Sequence, residues 1–74
     1  MDRRILVALI RQVVPVEELV TLIRLGQDRA IRFPQGLRVH ISGENGMLRV
    51  SVIEHMGPPW YLLAPAELGV DLEQ

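Results

Sequence analysis

Residues 37–52 read Leu37-Arg38-Val39-His40-Ile41-Ser42-Gly43-Glu44-Asn45-Gly46-Met47-Leu48-Arg49-Val50-Ser51-Val52, and the way this stretch pairs with itself decides the fold. Leu37, Val39 and Ile41 alternate with Arg38, His40 and Ser42, the two-residue period of a strand with one buried face. Asn45-Gly46 is a strong hairpin signal, because a type I′ turn needs positive φ at both central residues and these two adopt it most readily. With Glu44 opposite Met47, the register places Ser42 against Arg49, Ile41 against Val50, His40 against Ser51 and Val39 against Val52. Apolar then meets apolar on one face and polar meets polar on the other, so turn chemistry and alternation specify the same pairing independently. Continuing the register would set Glu54 inward opposite Leu37, so the strand ends, or bulges, just past Val52.

Outward from the hairpin, residues 29–33 alternate with Ile31 and Phe33 on one face and close at the turn Pro34-Gln35-Gly36, a further strand. Gly57-Pro58-Pro59 forces another turn, after which residues 60–63 can return as a fourth strand. Upstream, Asp2 can cap a helix over 2–13 that stops at Val14-Pro15, since the residue before proline is pushed out of the α region. The run Ile5 to Ile10 has no polar residue and would also suit a buried strand; helix is the reading adopted. A second helix over 15–25 has Glu17 and Glu18 in its first turn, Arg24 in its last and Gly26 at its end. Pro65 to Leu68 suggests one C-terminal helical turn before Gly69, and residues 71–74 form an acidic tail expected to fray. The expected fold class is α+β: two N-terminal helices packed on a three- to four-stranded antiparallel meander over 29–33, 37–42, 47–53 and 60–63.

Seventy-four residues form a single domain, 1–74, because so short a chain cannot build two cores. Without cysteine there is no disulfide, thiolate nucleophile or thiolate zinc site. An apolar fraction of 49% argues against disorder, and a net charge of −1 gives no global attraction to nucleic acid or anionic lipid. All eight basic residues are Arg, a bias that GC-rich coding produces, and the absence of Lys removes Schiff-base and P-loop lysine chemistry. The apolar run near the start is too short and lacks the cleavage pattern of a signal peptide. The longer window is broken by Arg11, Pro15, Glu17, Glu18 and Arg24, so no membrane span is expected and the protein reads as cytoplasmic.

Arg38, His40 and Arg49 share the outward face of the hairpin with Arg32 beside them, a patch that could hold phosphate or a nucleic-acid backbone. A solvated polar face is what an antiparallel sheet ordinarily shows, and no aromatic residues interleave for base stacking. His40 and His55 lie about 13 Å apart on an extended ladder, too far to share a metal. Glu54 and His55 are neighbours on a strand and point to opposite faces, so no triad assembles there. No catalytic, metal or cofactor set is read from the chain. The features a lone domain explains least are the aliphatic first helix, with Ile5, Leu6, Leu9 and Ile10, and the Pro58-Pro59-Trp60-Tyr61 segment. The leading expectation is a non-enzymatic protein-protein interaction module, a small subunit, adaptor or inhibitor, expected to be homo-oligomeric through those residues, with a separate protein partner as the other occupant. The alternative is a nucleic-acid- or phosphate-binding regulator using Arg32, Arg38, His40 and Arg49.

Overall fold

A computed structural model describes residues 2–53 and 60–72, in the order α1 (Arg3–Val13), α2 (Val16–Leu25), β1 (Asp28–Arg32), β2 (Arg38–Glu44), β3 (Met47–Val52) and β4 (Tyr61–Leu63). The strands form one antiparallel meander in the spatial order β1-β2-β3-β4. Between β2 and β3 the five pairs read from the sequence are all present, and Gly43 pairs with Leu48 besides. Asn45 and Gly46 have φ of 54° and 77°, the two positive values the turn requires. The alternation ends where the sequence breaks it: β3 stops at Val52, and the Ile53 amide donates to the Arg38 carbonyl at 2.9 Å as the last rung.

The run Ile5 to Ile10 is helical. The Asp2 carboxylate accepts from the Arg4 amide at 2.8 Å and caps α1, whereas Val14 is extended ahead of Pro15. Over its full length α1 has the sidedness that its apolar centre conceals. Leu6 and Ile10, one turn apart, are buried, and Arg4, Arg11 and Gln12 lie outside. Cover on a further flank comes from the chain's own C-terminal segment, where Leu68 and Val70 join the core and Arg11 packs over Gly69. That segment is not the helical turn expected at 65–68; residues 65–69 form consecutive hydrogen-bonded turns, closed by the Val70 amide donating to the Pro65 carbonyl.

The inner sheet face carries Ile31, Val39, Ile41, Leu48, Val50, Val52 and Leu63, all buried against Leu19, Leu22 and Ile23 of α2 and Leu6, Ile10 and Val14 of the α1 region. Gly43 belongs to this face and not to the turn: β2 runs two residues further than the alternation suggested. A Cβ at Gly43 would stand 1.9 Å from the Leu22 carbonyl oxygen and 2.8 Å from the Ile23 Cα, so here the backbones of helix and sheet are in direct contact.

Candidate interaction surface

Both helices lie on one face of the sheet, and among the described residues no helix or strand layer covers the other. Reading across the strands, its side chains are Asp28, Ala30 and Arg32 from β1, then Arg38, His40, Ser42 and Glu44 from β2. Met47, Arg49 and Ser51 follow from β3, then Trp60 and Leu62 at β4. Charge gathers on the β1–β2 side and apolar surface on the β3–β4 side. There Trp60 is 58% exposed and Leu62 47%, with Ile53 exposed at the end of β3. The Arg49 guanidinium lies 3.9 Å from the centroid of the Trp60 ring, a cation-π contact that holds the indole beside β3.

The cationic residues picked from the sequence do share this face, interleaved with acids. His40 Nε2 lies 2.8 Å from Asp28 Oδ2, and Arg49 lies 3.6 Å from Glu44 as well as over Trp60. Arg32 has no ion-pair partner among the described residues and stands directly opposite Arg38 in the ladder. Asp28 reaches His40 because β1 begins one residue before the alternating run 29–33. The pair puts a carboxylate on an imidazole across from Ser51, yet no serine hydroxyl bonds to His40, and both groups stand exposed on an open face.

The proposed helix contacts divide differently from the sequence grouping. Leu6 and Ile10 are wholly inside the chain's own core, so only Ile5 and part of Leu9 offer surface. Trp60 and Tyr61 fall on opposite faces: Tyr61 pairs with Val50 and packs toward the core, leaving Trp60 as the outward aromatic. Glu54, His55, Pro58 and Pro59 lie outside the described residues.

The two edges of the sheet differ in a way that bears on association. In β4 the backbone of Leu62 faces away from β3, and its carbonyl accepts from Arg3 Nη2 at 2.7 Å. Arg3 also grips Glu67 with two bonds of 2.9 Å, while Glu67 accepts the Ala64 amide at 3.0 Å. The Ala64 amide, and then Arg3, hold the Glu67 carboxyl below its ordinary pKa. At β1, Arg29 turns inward to Glu18 of α2 at 2.6 Å, but the outward backbone groups of Asp28, Ala30 and Arg32 have no hydrogen-bond partner among the described residues.

No group of His, Asp or Glu suited to a metal ion occurs among the described residues, and no described helix is long and apolar enough to cross a membrane. Comparison of the chain with protein-family models, curated proteins and solved structures gives no match.

Proposed function

We propose that this chain is a non-enzymatic interaction module that offers the β3–β4 side of its open sheet face to a protein partner. The observation that carries the reading is the strip Ile53, Trp60 and Leu62, exposed on the sheet face that neither helix covers and flanked by Arg49. A flat aromatic with an aliphatic neighbour, held by an arginine and bordered by charge, has the make-up of an interface centre with a polar rim. The nucleic-acid alternative draws less support: Asp28 and Glu44 occupy the same face as its arginines, and two of its four groups already meet acids.

The test is capture of partners from cell extract by the wild-type chain and by a Trp60→Ser/Leu62→Ser variant of equal Tm. A partner held by the wild type and lost by the variant is the expected result. Equal capture by both, or none by either, overturns the reading.

A further inference from the structure

The alternation of hydrogen bonds along β1 shows which of its backbone groups are committed. The Phe33 amide donates to the Leu37 carbonyl at 2.8 Å, so 33 with 37, 31 with 39 and 29 with 41 are the hydrogen-bonded pairs. The N–H and C=O groups of Asp28, Ala30 and Arg32 therefore point to the free edge. All three residues are exposed. At the opposite edge Arg3 occupies the outward Leu62 carbonyl and Glu67 the Ala64 amide, so β1 presents the longer open run of backbone groups among the described residues.

We propose that β1 is the seam of a homodimer, in which β1 of one copy pairs antiparallel with β1 of a second about a two-fold axis at Ala30, giving one continuous eight-stranded sheet. The surface differs from the Trp60 strip and does not depend on it. In this register Asp28 stands opposite Arg32 of the second copy, twice by symmetry, and each of the three outward-facing pairs makes two N–H···O bonds. The arginine that faces only Arg38 within its own sheet gains a carboxylate across the seam. Ala30, meeting its own copy on the axis, is small and uncharged, which lets the backbones close. Arg29 opposes Ile31 of the second copy with its charge already met by Glu18.

The complementarity selects the occupant. Sliding the seam by two residues one way sets Arg29 against Arg29, and two the other way leaves Asp28 without Arg32 opposite it. Charged side chains on an edge normally discourage strands from adding to it. Here the order Asp28-Arg29-Ala30-Ile31-Arg32 rejects an apolar or mismatched strand and accepts its own antiparallel copy. A five-residue seam is small, so the dimer belongs with weak interfaces burying less than about 1,200 Å².

Sedimentation of the full chain from about 1 µM to about 1 mM tests the seam, a range matched to a weak complex. The wild type should pass reversibly from monomer to dimer. Asp28→Arg and Arg32→Asp should each weaken self-association at least tenfold, because each sets like charges opposite at both ends. Mixing the two variants should restore dimers, since every cross-pair is then acid against base. Hydrogen exchange on the wild type needs no variant: the Ala30 and Arg32 amides should gain protection with concentration, and the Leu62 amide should not. A chain that stays monomeric through about 1 mM overturns the proposal. So does a dimer that forms equally well in both single variants, or one that leaves β1 exchange unchanged.

Discussion

The two outer strands of this sheet solve the problem of an exposed edge differently. At β4 the strand is three residues long, and an arginine from the first turn of α1 and a glutamate from the C-terminal segment meet its outward carbonyl at Leu62 and the amide of Ala64. At β1 the strand is five residues long, its outward backbone groups have no hydrogen-bond partner among the described residues, and charged side chains flank them. Guarding an edge thus takes groups from outside the strand. Arg3 and Glu67 are 64 residues apart in sequence, so β4 is closed only when the whole fold is assembled.

The contrast collapses altogether if the sheet itself is lost, and Gly43→Ala is the change most able to do that. The new Cβ would meet main-chain atoms of α2 that cannot rotate away, so a loss of about 3 kcal/mol or more is expected, read by chemical denaturation. A near-neutral result would show that the helix can lift from the sheet.

Arg3→Ala should unseal β4 while leaving the core intact. Expected are a Tm lower by a few degrees and, in concentrated solution, species larger than a dimer, because two open edges per copy allow open-ended growth. Light scattering that matches the wild type would show that the shortness of β4 suffices without its guard.

Acid should sharpen the contrast more gently. The folded state lowers the Glu67 pKa, so its contribution to stability is present above the unfolded value of 4.5 and is lost as pH falls through the lowered folded value. The Tm gap between wild type and Glu67→Gln should be widest near neutrality and should shrink as pH drops below 4.5. A gap that holds constant into acid would mean that the carboxylate charge is not what closes the edge.

How much was legible in the sequence follows from how local each cause is. The β2–β3 register could be read because Asn45-Gly46 and the alternating side chains lie within sixteen residues and agree. Sidedness in α1 was hidden because a six-residue apolar window spans almost two helical turns; the polar face comes from Arg4, Arg11 and Gln12 around it. Gly43 read as part of a turn because it stands beside one, and only the approach of Leu22 and Ile23 gives it a reason. Of the surface, the sharing of one face by Arg38, His40 and Arg49 was legible from strand parity. The pairing of His40 with Asp28 and of Arg49 with Glu44 was legible only in part, since the first needs β1 to begin one residue earlier. The ties to the C-terminal segment, Arg3 to Glu67, Arg11 over Gly69 and Arg24 Nη2 donating to the Leu72 carbonyl, had no local signal at all.

Trp60 is the only indole in the chain and lies on the open face beneath the Arg49 guanidinium. The protein thus carries a built-in optical reporter of that face alone. A partner seated on the Trp60 strip would dry the ring and shift its emission to the blue. Pairing along β1, three strand spacings or about 14 Å away, would leave the spectrum unchanged while the mass doubled. A titration followed at once by fluorescence and by light scattering would therefore separate the two modes of association.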